Sequence, residues 1–308
     1  MEKVKIKPKE LLDDIQISEI RQKKDFRNVF ALLFDWGLIV SSFILFYNFP
    51  NTLTFISSLI VIGSRQFALA VLVHEGAHNL LFSNPKINDF ISQWFCAYPI
   101  FQDNRVYRPY HLKHHRFTET DKDPDLALSA PFPITKKSFF RKVTRDLLGM
   151  TGYRRYSRAI LSIFKTEGDN SLDKTKKIWF KIHGFLLTNT FIFAVVSIFL
   201  DWTLYFLLWW LPAFTYYSLI IRIRNIAEHC VTSGSTDFDN TRTTLTNPFV
   251  RFLMAPHGVN YHLEHHLFMM CPWYNLPKAH SMMIENGYED RMCIANSYRS
   301  VLMKAVSA

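Results

Sequence analysis

From Asn28 to Ser64, and again from Ile182 to Ile221, the chain carries no lysine or arginine. Stretches this long and this apolar suit helices that satisfy their own backbone hydrogen bonds inside a bilayer. They divide into four spans, roughly 29–47, 53–73, 182–200 and 203–223. Each is near the ~20 residues needed to cross about 30 Å of hydrocarbon. The connections at 48–52 (YNFPN) and 201–202 (Asp-Trp) are short and carry no basic charge. Basic residues crowd instead into 3–27, 105–116, 136–158 and 174–181, so the positive-inside rule places those segments in the cytoplasm. The expectation is an all-α integral membrane protein, with four transmembrane helices in two hairpins and both termini cytoplasmic. It reads as one domain over 1–308, in which 1–28, 74–181 and 224–308 form a cytoplasmic helical cap.

Other features agree. A content of 49% hydrophobic and 16% aromatic residues excludes a disordered chain. The net charge of +10 could meet nucleic acid, but no nucleic-acid motif accompanies it, and its clustering beside the spans favours a membrane surface. Cys96, Cys230, Cys271 and Cys293 form no paired motif and read as reduced thiols. The start, MEKVKIKPKELLDD, lacks the apolar core of a signal peptide. Three further segments read as re-entrant or interfacial helices: 87–101, 136–148 and 154–165. In 136–148, Phe139, Phe140, Val143, Leu147 and Leu148 share one face opposite basic residues, as a membrane-surface helix requires. Asp35 and Arg65 lie within spans, where an ionisable residue is either functional or paired. The sequence assigns Asp35 no role.

The chemistry is concentrated in histidines. His74-Glu75-Gly76-Ala77-His78 satisfies H-E-x-x-H, the zinc-protease pattern of two ligands and a general base. Two further clusters follow: His111-x-x-His114-His115 and His262-x-x-His265-His266. With 12 histidines in 308 residues, chance supplies only about 0.02 copies of H-x-x-H-H. On a helix, positions i, i+3 and i+4 share a face, so each cluster is expected to aim its imidazoles together. His74 lies about 31 Å along the second span, at its cytoplasmic mouth, and Asn225 about 33 Å along the fourth, with His229 one turn beyond. Nine imidazoles exceed a single zinc site, which takes four ligands, and suit two metals with four or five each. Imidazole accepts iron, zinc, copper or nickel, so ligand type alone leaves the metal open.

HEGAH, HLKHH and HLEHH, with RNIAEH before the last, resemble the three histidine boxes of the membrane fatty acid desaturase superfamily. The resemblance runs over roughly 30–280 and includes Pro272-Trp273-Tyr274-Asn275-Leu276-Pro277. It implies two irons at the cytoplasmic face, held by His74, His78, His111, His114, His115, His229, His262, His265 and His266, with Asn225 reaching one iron through water. Glu75, Glu228 and Glu264 become candidates for orienting imidazoles. His183, His257 and His280 match no box and read as ordinary histidines.

The resemblance further implies O2 activation and desaturation of a fatty acyl chain, with two electrons from an external donor. The sequence shows neither a cytochrome b5 haem signature nor a dinucleotide loop. A separate ferredoxin, rubredoxin-like protein or cytochrome b5 is therefore expected to dock on the basic cytoplasmic face. A hydroxylase or ketolase of the same superfamily, acting on fatty acyl, sphingolipid or carotenoid chains, is the alternative. A membrane zinc protease and a metal sensor without catalysis stand further off. Acyl carrier, chain length, bond position and oligomeric state are not legible.

Overall fold

The computed structural model describes residues 6–168, 170–232 and 236–306. Residues 1–5, 169, 233–235 and 307–308, all within segments expected to be cytoplasmic, lie outside the described residues. The chain is mostly helical: α1 Asp14–Ile20, α2 Asp25–Asn48, α3 Thr52–Ala77, α4 Pro85–Ile91, α5 Asn104–Phe117, α6 Lys136–Leu147, α7 Met150–Phe164, α8 Ser171–Phe199, α9 Trp202–His229, α10 Pro248–Met254, α11 His262–Leu267, α12 Leu276–Glu285 and α13 Tyr298–Ala305. Four of these, α2, α3, α8 and α9, are long and apolar enough to cross a membrane. α2 runs nearly continuously on from α1.

Side-chain caps set where these helices begin. Asn51 starts α3 by accepting from the amides of Leu53 (3.0 Å) and Thr54 (3.1 Å), while Thr54 Oγ1 accepts from the Asn51 amide in return. Asp201 starts α9 by accepting from the Thr203 amide at 2.8 Å. Asn170 starts α8 by accepting from the Asp173 amide at 2.9 Å, so this helix begins well before the apolar run at 182. α9 is irregular: Tyr205–Trp210 is a π-helical stretch followed by Pro212, which cannot donate back to the preceding turn.

The four long helices are buried unequally. Most apolar windows of α3 and α9 are 67% and 56% buried, against 28% and 22% for those containing α2 and for α8. α3 and α9 therefore form the inner pair, and these two carry histidines at their ends. Ile39, Phe43, Ile62, Leu69 and Leu208 fill the space among the long helices, where Trp36 stacks on Trp209 at 5.8 Å. Two charged residues of this region pair with each other. Arg65 Nη1 donates to Asp35 Oδ1 at 3.0 Å, with both side chains fully buried.

The segment 87–101 is helical as expected, in three pieces: α4, a π-helical stretch Ser92–Ala97 and a 3-10 turn Tyr98–Ile100. It presses on α3 so closely that a Cβ at Gly76 would lie 2.4 Å from Ser92 Cβ. Gly76 is thus glycine because another backbone needs the space. α6 and α7 form where expected and leave Phe140, Leu148, Tyr153 and Leu161 exposed. Asp146 ties α6 to α9, its Oδ1 accepting from Arg222 Nη2 at 2.8 Å. The all-α reading needs one correction. Thr243–Thr244 and Ile294–Ala295 form a two-stranded parallel pair, β1 and β2. An antiparallel bridge from Thr243 to Tyr261 joins this pair to the start of α11. Two-residue strands leave no periodic pattern in a sequence, which is why the pair was invisible there.

Candidate metal centre

Four elements deliver imidazoles to one region. His74 lies in the last turn of α3 and His78 at its C-cap; α5 carries His111, His114 and His115. α9 ends on His229, and α11 opens on His262 and carries His265 and His266. All nine fall into two groups that could each hold a metal ion. One comprises His74, His78, His111, His115 and His265; the other comprises His114, His229, His262 and His266. Within each group the ligand atoms lie within 4.8 Å of one another.

The fine spacing matches a shared ion. Nε2 atoms of His78 and His111 are 2.9 Å apart, of His111 and His115 3.0 Å, and of His115 and His265 2.9 Å. In the second group His229–His262 is 2.9 Å and His262–His266 is 3.2 Å. Imidazoles bound at right angles about 2.1 Å from a metal would be separated by about 3.0 Å. His74 adds a second sign of fit. Both its ring nitrogens are buried without a hydrogen-bond partner, with the Glu75 carboxylate 3.5 Å from Nδ1, so Nε2 is the atom left for an ion to satisfy.

One expectation is corrected. The two H-x-x-H-H boxes do not aim all three imidazoles together. His111 and His115, four apart, stay in the five-histidine group while His114 crosses to the other. His262 and His266 stay in the four-histidine group while His265 crosses. Positions i and i+4 are separated by about 40° around the helix, whereas i+3 falls on the other side of i, about 60° away. With two targets close together, that divergence assigns each box to both. Each short helix therefore bridges the two groups.

Burial suits the imidazoles to ligation, since a ligand must be neutral. Burial, followed by Arg108, pushes His78 down to about 4. Burial, followed by neighbouring imidazoles, holds His111, His115, His262, His265 and His266 well below the ordinary histidine value.

Around the imidazoles stands a second layer of contacts. Asp123 Oδ1 lies 2.8 Å from His114 Nδ1 and its two oxygens also accept from the amides of Glu119 and Asp125, each at 2.8 Å. Burial would raise the Asp123 carboxyl, but His114 and these amides hold it below the usual carboxylate range. Thr118 Oγ1 donates to the His114 carbonyl at 2.8 Å and faces His266 Nδ1 at 3.3 Å. Neither residue was legible as a site residue. Asp123 sits among Glu119, Asp121 and Asp125, and only the turn that reverses the chain after α5 brings it, rather than Asp121, onto the ring.

The three glutamates divide. Glu75 Oε2 accepts from the Trp273 amide at 3.0 Å, and its other oxygen is 3.5 Å from His74 Nδ1. Glu228 accepts from Arg224 Nε at 2.6 Å and faces His262 Nε2 at 3.5 Å. Glu264 is placed differently from expectation. It holds His280 Nδ1 at 2.6 Å and the Thr243 hydroxyl, because the helix turns it away from both groups toward β1 and α12. His280, read as ordinary, is thus the buried partner of a box residue, and His257 is likewise paired, with Asp35 at 2.7 Å. His183 contacts the Trp179 carbonyl and, among the described residues, joins neither histidine group.

Two cavities flank the histidines. Asn225 lines a small one of about 40 Å³ with Glu228, His229, His262, His111 and His114. A second, of about 160 Å³, reaches His74 between Phe67, Val71, Tyr217, Ile221 and Val259. It shares Gln102 and Tyr107 with a larger, mostly apolar cleft of about 520 Å³ between α5, α7 and α8.

Comparison with known proteins points the same way. A family model described as fatty acid desaturase matches residues 50–294. Dihydrorhizobitoxine desaturase of Bradyrhizobium elkanii is 25% identical over 246 residues, covering 75% of this chain and 68% of that protein.

Proposed function

This chain belongs to the fatty acid desaturase family, and we propose that it is an O2-dependent di-iron lipid desaturase that introduces a double bond into a fatty acyl chain. Family membership makes it an oxidoreductase; the metal, the substrate and the reaction outcome are the proposal. The observation that carries it is the sorting of nine imidazoles, six buried and three half-buried, into one group of five and one of four at coordination spacing. A membrane zinc protease would use one group and leave the other without purpose. The name of the similar protein favours desaturation over hydroxylation or ketone formation.

In this reading His74, His78, His111, His115 and His265 hold one iron, and His114, His229, His262 and His266 the other, with Asn225 facing the second through water. When bound, the two irons would supply O2 reduction and hydrogen abstraction from an unactivated C–H bond. Overall, two adjacent CH2 groups lose two hydrogens to give CH=CH, and O2 with two electrons and two protons from outside leaves as two waters. The chain's own residues hold, orient and shield. Asp123 fixes His114 in the tautomer with its proton on Nδ1, leaving Nε2 for metal. Tyr107 stacks on His111 at 5.2 Å and restrains that ring. Phe67, Val71, Ile221 and Val259 make the wall beside His74 apolar, which suits a methylene and excludes water. The cleft sharing Gln102 and Tyr107 is the approach we assign to the acyl chain.

The proposal also sets the molecule in its membrane as one unit. α2–α3 and α8–α9 form two hairpins, and 1–28, 74–181 and 224–308 form the cytoplasmic cap carrying the site. α6 and α7, with Phe140, Leu148 and Leu161 exposed, lie in the membrane surface. Electrons come from a separate ferredoxin, rubredoxin-like protein or cytochrome b5 docking on the basic face. The test is expression in a host of known lipid profile, followed by product analysis. A new double bond is expected. New hydroxylated or keto lipids without one would overturn the desaturase reading.

A further inference from the structure

The polar residues of α2 remain unexplained by the site. This helix contributes no histidine to either group, yet it buries Asn28 and Asp35 almost completely. The two stand seven residues apart, hence on one face. Asp35 Oδ2 accepts from His257 Nε2 at 2.7 Å, and its other oxygen from Arg65. Arg65 in turn donates to Ser64 Oγ at 2.8 Å and to the Phe252 carbonyl, and its guanidinium covers the Phe252 ring at 4.6 Å. Asn28 Oδ1 accepts from Trp273 Nε1 at 2.8 Å, while its amide donates to the Leu81 carbonyl at 2.8 Å. His257 and Trp273 bracket the third histidine box, and their rings meet at 4.9 Å.

Backbone geometry shows that this junction is held. His257 has φ 51° and ψ 41°, a left-handed conformation disfavoured for a residue with a Cβ. Gly258 follows at φ 63°, where a Cβ would lie 3.0 Å from the Trp273 carbonyl oxygen. From this junction one chain of contacts leads to the five-histidine group. The Trp273 amide donates to Glu75, and Glu75 faces His74 Nδ1. The four-histidine group depends on other supports, chiefly Asp123, Thr118 and Glu228.

We infer that α2 is a buttress for the five-histidine group. Asp35 through His257, and Asn28 through Trp273, are positioning residues that fix Glu75 against His74. The inference rests on the two-metal reading of the site. It predicts a selective defect, because the link through Trp273 and Glu75 ends on a histidine of the five-histidine group.

The test uses full-length protein, expressed with iron-57 and purified in detergent, as wild type, His257→Ala, Asn28→Ala and Asp35→Asn. Iron per chain and the Mössbauer spectrum are read for each. His257→Ala leaves the Asp35–Arg65 pair intact, so it separates positioning from span stability even if Asp35→Asn fails to accumulate. Weakening an outer support lowers metal affinity by roughly 10- to 100-fold. We expect His257→Ala and Asn28→Ala to elute like wild type, to fall from two irons toward one, and to keep one spectral component unchanged. Two irons with wild-type spectra in both variants would overturn the inference alone, as would equal loss of both components. A wild type without bound metal would overturn the site reading, and the inference with it.

Discussion

The two histidine groups share the two H-x-x-H-H boxes but rest on different parts of the molecule. The five-histidine group leans toward the long helices, with His74 on α3 and its neighbour Glu75 tied to Trp273 and, beyond it, α2. The four-histidine group leans on the turn after α5 and on the end of α9, through Asp123, Thr118 and Glu228. The two H-x-x-H-H boxes cannot distinguish the groups, since each serves both. What distinguishes them is His74 and His78 on one side, His229 on the other, and the outer layer, where two sites with the same ligand chemistry acquire separate stabilities.

The largest effect should come from breaking one group outright. His265→Ala removes a ligand from the five-histidine group and is expected to abolish turnover and lower bound iron from two per chain toward one. Membrane insertion should persist. Full activity in this variant, measured by product lipid analysis, would defeat the ligand assignment. His115→Ala should behave the same way.

A smaller effect should sharpen the contrast from the other side. Asp123→Asn keeps the shape but removes the charge holding His114. It should weaken metal retention by about 10- to 100-fold, confined to the four-histidine group. Chelator titration followed by Mössbauer spectroscopy checks this, and loss from the five-histidine group first would contradict it. Asn225→Ala removes a side chain that lines the small cavity and, among the described residues, donates to no imidazole, so both irons should stay while turnover falls by about 10-fold. The smallest effect should touch neither group. Asn51→Ala removes the cap of α3 at the end far from the histidines and should cost about 1 kcal/mol of stability. Its thermal midpoint should drop with iron content unchanged.

A second contrast, between inner and outer helices, shows what a sequence can carry. α3 and α8 are equal in mean hydropathy, yet α3 belongs to the buried pair with α9 and α8 to the exposed pair with α2. Hydropathy reports solubility in hydrocarbon, and lipid and protein interior are equally apolar. Only packing decides which surface faces which. Polar residues gave a partial clue: Asp35 and Arg65 announced that some pairing must occur within the spans, but not that they pair with each other, or that His257 joins them.

The histidines were legible because their spacing is local. Three residues four or fewer apart on a helix have a fixed geometry whatever surrounds them. Length and apolarity likewise set the four long helices, and the boxes together with RNIAEH named all nine imidazoles that the fold brings together. Contacts made across large sequence separations were not legible in the same way. The assignment of His114 and His265 to groups opposite their neighbours depends on where two short helices cross. Asp123 on His114 depends on one turn, Glu264 on His280 on the facing of α11 against α12, and Gly76 on the approach of Ser92. Helix spacing determined the directions in which the ligands could point; only tertiary packing decided the targets, because a side chain's partner is fixed by which backbone arrives opposite it.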